Sequence, residues 1–327
     1  MSTASAALPS GFAARIRALW GPWWPLPLLV FPSYSLIMLA IGDLRPEHVG
    51  LSLVVWILAV IGPRSKRFLV DISPYFVVAL GYDLVRYARP VFVSADRVLG
   101  CQLRQAEVAL FGLGTGHTPG DWLQGHHLPA LDVFFAVPYT IFIYVAFIYA
   151  AYLYFVDRQR MRRFLWAFAI ANYISFTLWM IVPAAPPWYL REAGCHIDMA
   201  AVPSAAGLLR VDGLLGIDYF HTFYSRAASV YGAMPSMHCA YPVLGLFSAW
   251  KCASWKTRSL HIFYALWMFC AAIYLDHHWI LDALAGWAVA GLAVFLAGRL
   301  TARFAVPDTD ARDAEVSEQL EVRHEHA

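Results

Sequence analysis

Two short polar stretches of an otherwise apolar chain contain residue types that can do chemistry: AMPSMHCAYP with His238, and YLDHHWILDALAG with His278 and Asp282. An imidazole can attack an electrophilic centre or transfer a proton. On a helix, Asp282 would lie one turn after His278 on the same face, where its carboxylate can fix the tautomer of the ring. His277 has Leu281 at the equivalent position, so His278 is the better candidate for a nucleophile.

The first stretch also has the pattern of a helix start. Pro235 and Ser236 precede an apolar run, and serine is a common N-cap residue. The free N–H groups of a helix N-terminus attract anions, and phosphate is the obvious one. We therefore predict that Ser236 lies at a phosphate-binding helix start. His238, in the first turn, would protonate a leaving oxygen or deprotonate an incoming hydroxyl.

The elements that must position these residues are membrane helices. Of the 327 residues, 60% are hydrophobic and only 14% are charged, against about 25% charged residues in an ordinary soluble domain. The net charge of +2 gives no basic surface for nucleic acid. Eight apolar runs, some of them short for a bilayer, lie at about 25–42, 48–62, 68–88, 131–156, 164–183, 235–250, 260–276 and 278–298. We predict an all-α polytopic membrane protein with about six to eight transmembrane helices.

The charges of the connecting loops predict the orientation. Lys and Arg in short loops favour the cytoplasm, and the basic loops RSKR, DRQRMRR and KCASWKTR lie on one side if eight spans alternate. Both termini are then cytoplasmic. His238 and His278 are 40 residues apart, which corresponds to two spans of roughly 20 residues. Both histidines should therefore lie at the extracytoplasmic surface, which is periplasmic or lumenal.

The same pattern divides the chain. We expect residues 1–24 to be a cytoplasmic segment, residues 25–300 to be a transmembrane catalytic domain, and residues 301–327 to be a polar, disordered cytoplasmic tail. Residues 101–113 have the spacing of an amphipathic helix, which would lie on the membrane surface or pack on the spans.

The cysteines and histidines do not predict a metal site. The five cysteines have no metal-ligand spacing, and no matched set of further ligands favours a heme or a metal ion at the histidines. We therefore predict neither a metal nor a cofactor. Cys101 and Cys195 both fall on the predicted outer side, and the sequence leaves open whether they form a disulfide.

The two stretches together resemble the type 2 phosphatidic acid phosphatase superfamily. PSMH (235–238) and HHWILD (277–282) are similar to its second and third signatures, Pro-Ser-x-His and His-x-x-x-Asp. The resemblance implies a phosphatidic-acid-phosphatase-like helical core and a reaction without metal. It also implies that His238 is the general acid, that His278 forms a phosphohistidine, and that Asp282 orients His278.

The chain departs from the phosphatases of that superfamily at their phosphate clamp. Their Ser-Arg pair before the nucleophilic histidine is replaced by Ala271 and Ala272. The lysine of their first signature, seven residues before Arg-Pro, is replaced by Tyr82. The usual set of phosphate ligands of a phosphatase is therefore missing.

Five motifs in order are instead similar to the inositol phosphorylceramide synthase branch of the superfamily. They are GYDLVRY, FFAVPYTIF, WMIVPAAPPWY, GAMPSMHCAYP and HHWILDALAG, between about residues 80 and 290. This resemblance implies a transferase that moves inositol phosphate from phosphatidylinositol to ceramide or another lipid alcohol. The transfer would proceed through a phosphohistidine, with membrane lipids as the partners of the protein.

Other cations must then hold the phosphate. Arg86 and Arg89 lie on the predicted outer side, against the positive-inside trend, which favours a ligand role. An ion pair with Asp83 or an ordinary interface anchor is the alternative. The further candidates are His277, Arg191 and Arg226.

Two other functions remain open at this point. A lipid phosphatase or phospholipase-type hydrolase would use the same histidine with water as the acceptor, and the missing Ser-Arg pair argues against it. A lipid-handling membrane protein without activity is disfavoured because every catalytic position is occupied by the expected residue.

Overall fold

The computed structural model describes residues 11–114 and 116–303, and this part of the chain is helical without any β-strand. The all-α prediction is therefore confirmed. The helices are α1 (Phe12–Trp20), α2 (Pro25–Ala40), α3 (Pro46–Ile61), α4 (Pro63–Phe92), α5 (Cys101–Phe111), α6 (Pro119–Gly125), α7 (Pro129–Val156), α8 (Arg158–Ile181), α9 (Pro187–Ala193), α10 (Leu209–Leu215), α11 (Tyr219–Tyr224), α12 (Met237–Ala249), α13 (Trp255–Tyr274) and α14 (Ile280–Arg303). The predicted tail lies, apart from its first three residues, outside the described residues, as do the first ten residues of the predicted N-terminal segment.

The described residues form two compact units, which divide between Val77 and Val78 inside α4. In the first unit, α2 and α3 pack side by side. The Ser35 and Ser52 hydroxyls are 3.0 Å apart across this pair, and the Trp56 indole donates to the Leu28 carbonyl. These contacts provide hydrogen-bond partners for polar groups that lie between two apolar helices, where no water is present to provide them.

The second unit is a bundle in which α12 packs against α7, α8, α13 and α14. Local sequence sets several helix starts: Asp157 and Ser254 accept backbone N–H groups at the starts of α8 and α13, and Pro129 is the first residue of α7. The short helices α5, α6, α9 and α10 contact the end of the bundle where α13 stops and α14 begins. The site is built at this end.

Four of the described helices, α4, α7, α8 and α14, are long and apolar enough to cross a membrane, and α1 and α2 together could form a fifth span bent by 94°. The protein is therefore a multi-pass membrane protein, as predicted. The other predicted spans are also helical, but α3 and α12 have only 16 and 13 residues, and α13 begins with the polar residues Lys256, Arg258 and His261. The predicted orientation stays a prediction.

Candidate active site

The start of α12 carries His238 and is held against α14. The Ser236 hydroxyl accepts the N–H of Cys239 at 3.3 Å, so the predicted cap is present. The Ser236 backbone N–H donates to the Asp282 carbonyl at 2.9 Å. The two helices approach closely because α14 has Gly286 at the contact, where a Cβ atom would lie 2.2 Å from the Ser236 carbonyl oxygen. The Ser236 side chain is fully buried, and its role as a phosphate ligand stays a prediction.

His278 lies just before α14, which corrects the prediction that it is a helical residue. Asp276 has a positive φ of 64°, and α14 begins only at Ile280. The Asp282 carboxylate accepts the N–H of Trp279 at 3.0 Å, as the third residue of a helix does in a capping box. The helix therefore starts where a side chain from its own first turn can satisfy the free backbone donor.

The structure nevertheless brings Asp282 to His278. An Asp282 carboxylate oxygen lies 3.6 Å from His278 Nδ1, and both side chains are almost completely buried. The distance is that of an ion pair or a long contact rather than a short hydrogen bond. The carboxylate therefore faces the ring nitrogen that the sequence predicted, although the connecting backbone is not helical.

The two histidines of the separate stretches are in contact. His238 Nδ1 lies 3.1 Å from His278 Nε2, and the Tyr224 hydroxyl lies 3.3 Å from His238 Nε2. Because a carboxylate only accepts hydrogen bonds, the side of His278 that faces Asp282 carries the proton. His238 Nδ1–H then donates to His278 Nε2, and the Tyr224 hydroxyl donates to His238 Nε2. The hydrogen-bond chain thus runs from the Tyr224 hydroxyl through His238 to His278 Nε2, and the Asp282 carboxylate faces the other ring nitrogen of His278 at 3.6 Å.

Aromatic rings pack against His238 and the neighbouring His277. Tyr139 stacks on His238 with 4.4 Å between ring centroids and on His277 at 5.1 Å, and Phe142 lies 4.5 Å from His238. A cavity of about 90 Å³ adjoins the rings, between α7 and α11. Its lining residues are Tyr139, Thr140, Phe142, Ile143, Tyr144, Tyr219, Phe220, Phe223 and Tyr224. The histidines therefore lie beside an apolar, aromatic space.

His277 has a different environment from His278. Its Nε2 donates to the Ala205 carbonyl at 3.0 Å, and burial lowers the pKa of His277 to about 3. Its Nε2–H therefore already has an acceptor. The predicted role of His277 as a phosphate ligand stays a prediction.

The predicted arginines contact the loop that carries Tyr224. Arg86 donates to the carbonyl of Arg226 at 2.8 Å, and Arg89 lies 3.3 Å from the carbonyl of Met199. The Arg226 side chain is exposed. These contacts connect α4 to the 199–226 segment, and a phosphate-binding role for any of the three arginines stays a prediction.

Loss of the Tyr224 hydroxyl tests the donor chain. We expect Tyr224→Phe to lower kcat about three- to tenfold, because one hydrogen bond of ordinary strength to His238 is lost. Turnover with a labelled lipid donor measures the effect. The matched control is Tyr264→Phe on α13, since the buried Tyr264 hydroxyl has no hydrogen-bond partner among the described residues. Equal decreases of kcat in the two variants would contradict the role of the Tyr224 hydroxyl as the hydrogen-bond partner of His238.

An ion-pair network holds the segment before the histidines, and sequence analysis missed it. Arg191 donates to both carboxylate oxygens of Asp276 at 2.9 and 2.8 Å and to Asp121 at 3.0 Å. Arg104 donates to the other oxygen of Asp121 at 2.9 Å. Asp276, for which the sequence suggested no role, thus anchors the turn between α13 and α14. No local spacing signals these contacts, because Arg191 is 85 residues from Asp276 and 70 from Asp121, and Arg104 is 17 residues from Asp121.

The pH dependence of stability tests this network. Burial alone would raise the pKa of Asp121, but the Thr118 N–H and the two guanidinium groups lower it from 3.8 to about 2. A lowered pKa stabilises the folded state above the unfolded-state pKa, and this stabilisation is lost as the pH falls through the folded-state pKa. We expect Asp121→Asn to lower the unfolding temperature at pH 5, with a difference from wild type that disappears between about pH 4 and 2. Tryptophan fluorescence in detergent measures it, and a pH-independent difference would contradict the assignment.

A disulfide joins Cys101, at the start of α5, to Cys195, just after α9, with 5.5 Å between the Cα atoms. This answers the question that the sequence left open. Cys239, Cys252 and Cys270 are free. Among the described residues, no three His, Cys, Asp or Glu side chains are grouped as metal ligands.

The sequence matches the family model of the PAP2 superfamily over residues 104–296. The chain therefore belongs to this superfamily. No solved structure matches.

Similarity to characterised proteins indicates to which branch of the superfamily the chain belongs. Phosphoinositol dihydroceramide synthase of Bacteroides thetaiotaomicron is 31% identical over 265 residues, covering 79% of this chain and 86% of the relative. Inositol phosphorylceramide synthase of Candida albicans is 33% identical over 169 residues, covering 50% of this chain and 35% of the relative. The catalytic subunit of the Saccharomyces cerevisiae enzyme is 34% identical over 118 residues, covering 35% of this chain and 29% of the relative. The protein belongs to the inositol phosphorylceramide synthase branch and is a membrane lipid phosphotransferase.

Proposed function

We propose that this protein transfers inositol phosphate from phosphatidylinositol to ceramide or a closely related lipid alcohol, through a phosphohistidine on His278. The observation that carries the proposal is the contact of 3.1 Å between His238 Nδ1 and His278 Nε2, with Asp282 on the other side of His278. This arrangement supplies an oriented nucleophile and a proton donor at one point. The names of the relatives support the choice of substrates.

In the first step, His278 Nε2 attacks the phosphorus of phosphatidylinositol. The N–P bond forms while the bond to the diacylglycerol oxygen breaks. His238 takes up a second proton, at Nε2, when the anionic lipid binds, so that the Tyr224 hydroxyl then accepts from Nε2 instead of donating to it, and His238 gives its Nδ1 proton to the leaving oxygen. Asp282 stabilises the positive charge that develops on His278. Diacylglycerol leaves, and the inositol phosphate stays bound to the enzyme.

In the second step, the direction of proton transfer is reversed. His238, now neutral, takes the proton of the primary hydroxyl of ceramide as its oxygen attacks the phosphorus. The N–P bond breaks and the electron pair returns to His278. His238 ends doubly protonated, as it began, so protons and electrons balance over the cycle.

The aromatic cavity supports entry of lipids from the side. Tyr144 and Phe223 line it and are 58% and 44% exposed, while Tyr139 and Tyr224 reach the catalytic rings. An alkyl chain can therefore follow apolar surface from the outside of the bundle to His238.

We place the site on the extracytoplasmic side, with both termini cytoplasmic, from the distribution of Lys and Arg. We also propose that residues 25–300 form the catalytic domain.

The residues that replace the Ser-Arg pair of the phosphatases favour transfer over hydrolysis. Ala271 and Ala272 are fully buried in α13, where they offer a phosphate neither a hydroxyl nor a charge. The site therefore lacks at these positions the groups that hold a simple phosphate monoester.

The test uses the purified full chain in detergent with phosphatidylinositol labelled in the inositol ring, with and without ceramide. We expect labelled inositol phosphorylceramide only when ceramide is present. Release of water-soluble inositol phosphate at the same rate without an acceptor would instead identify a hydrolase. No turnover under either condition would reject both the transferase and the hydrolase hypothesis.

A further inference from the structure

The first turn of α14 is bound by a carboxylate from outside the bundle helices. Glu107 of α5 is only 2% exposed. One of its carboxylate oxygens accepts the backbone N–H of Ile280 at 2.8 Å, and the other accepts that of Leu281 at 3.2 Å. A buried carboxylate without partners would be costly, and here both oxygens are used on one helix start.

Glu107 completes a set of acceptors at this helix start. The N–H groups at the beginning of a helix have no partner within the helix, and a negative charge there is favourable. Asp282 accepts the N–H of Trp279, so three consecutive N–H groups, from Trp279 to Leu281, are bound by two carboxylates. The backbone that leads directly into Asp282 is therefore held by a residue 173 positions away in the chain.

The same outer helices also hold the other end of the histidine segment. Arg191 of α9 binds the Asp276 carboxylate, and the backbone N–H of Trp188 donates to the Asp276 carbonyl at 3.1 Å. The disulfide between Cys101 and Cys195 joins α5 to the residues after α9. The short stretch that contains His277 and His278 is thus anchored on both sides by one cross-linked pair of outer helices.

We propose that Glu107 is a positioning residue for the transferase reaction, which fixes the first turn of α14 so that the Asp282 carboxylate faces His278. The inference rests on the proposed function, because it assigns a role to the geometry of the proposed nucleophile. A displacement of a catalytic group by about 1 Å can cost on the order of 100-fold in rate. Glu107 itself lies behind this turn and acts through it.

The test compares Glu107→Gln and Glu107→Ala with the wild-type chain in the same detergent. We expect kcat to fall about 10- to 100-fold in Glu107→Ala and less in Glu107→Gln, which keeps one acceptor oxygen, with KM changed by no more than about twofold. Backbone hydrogen exchange should become faster in peptides that cover residues 279–282, because two amide groups lose their acceptor.

The matched control is Asp132→Asn, which neutralises another buried carboxylate, bound to Arg210 on α10. It should lower the unfolding temperature but leave kcat of the folded protein and the exchange of residues 279–282 unchanged. The proposal is overturned if Glu107→Ala keeps the wild-type kcat, if the exchange does not change, or if Asp132→Asn lowers kcat equally. If the wild-type chain transfers no inositol phosphate, the proposed function fails by itself. Independently of activity, unchanged hydrogen exchange in Glu107→Ala would show that Glu107 does not bind the N–H groups of Ile280 and Leu281.

Discussion

Replacing His278 with alanine is expected to lower the transfer of inositol phosphate by at least about 10⁴-fold, because no other group can take the place of a covalent nucleophile. His278 is the histidine whose Nε2 meets His238 and whose Nδ1 faces Asp282. The neighbouring His277 donates to the Ala205 carbonyl instead. The two adjacent histidines therefore have different expected roles, and mutation can separate them.

The measurement is the covalent intermediate. Wild-type protein is mixed with phosphatidylinositol labelled in the inositol ring, without ceramide, and denatured in alkali, where an N–P bond survives. Protein-bound label that is released by mild acid should be present in wild type and absent in His278→Ala. His277→Ala serves as the control, and it should keep the label even where its turnover is reduced.

Three outcomes would contradict the assignment. Label that persists on His278→Ala would show that His278 is not the attacked residue. Label that is lost only in His277→Ala would exchange the roles of the two histidines. Wild-type turnover without any trapped label, at times shorter than one turnover, would favour direct attack of the acceptor on the lipid.

Replacing His238 with glutamine is expected to slow turnover of the natural donor by about 10² to 10⁴-fold, because the diacylglycerol oxygen is then not protonated as it leaves. The effect should depend on the leaving group. A synthetic inositol phosphodiester of 4-nitrophenol has a leaving group that needs no proton, so release of nitrophenol in the first turnover should be close to the wild-type rate. Transfer to ceramide should remain slow, since the second step still requires a base.

The corresponding control is His278→Ala with the same synthetic donor. This variant should show no burst of nitrophenol, because an improved leaving group cannot replace a missing nucleophile. If the synthetic donor restores both variants equally, or neither, then His238 is not the proton donor of the first step.

The residues that we propose to react could be selected from the sequence because their signal is local. The apolar runs identify membrane helices through composition alone, since the hydrocarbon core excludes unpaired polar backbone. Ser236 caps α12 because a short side-chain oxygen reaches an N–H three residues on. Asp282 was assigned to His278 by the spacing of four residues, and this pairing holds although His278 precedes the helix.

The partners that hold these residues could not be predicted in the same way. The phosphate roles of Arg86 and Arg89 rested on their expected side of the membrane, whereas the structure shows each of them at a loop carbonyl. Tyr224 lies in a loop sequence with several aromatic residues, and nothing in the spacing distinguishes it from Tyr219 or Phe223. Only the tertiary structure, which brings the end of α11 to the start of α12, selects the Tyr224 hydroxyl as the partner of His238.

By itself, the sequence determined the class of helical membrane protein, the three residues of the proposed chemistry and the order of their motifs, because these depend on residue type and on spacings of a few positions. The tertiary structure decided where α14 begins, which carboxylate binds its first turn, and which cation anchors Asp276. Glu107 and Arg191 reach the histidine segment from 173 and 85 residues away. Such contacts depend on how helices pack, as at Gly286, where the missing side chain lets α14 reach Ser236, and no local pattern encodes that geometry.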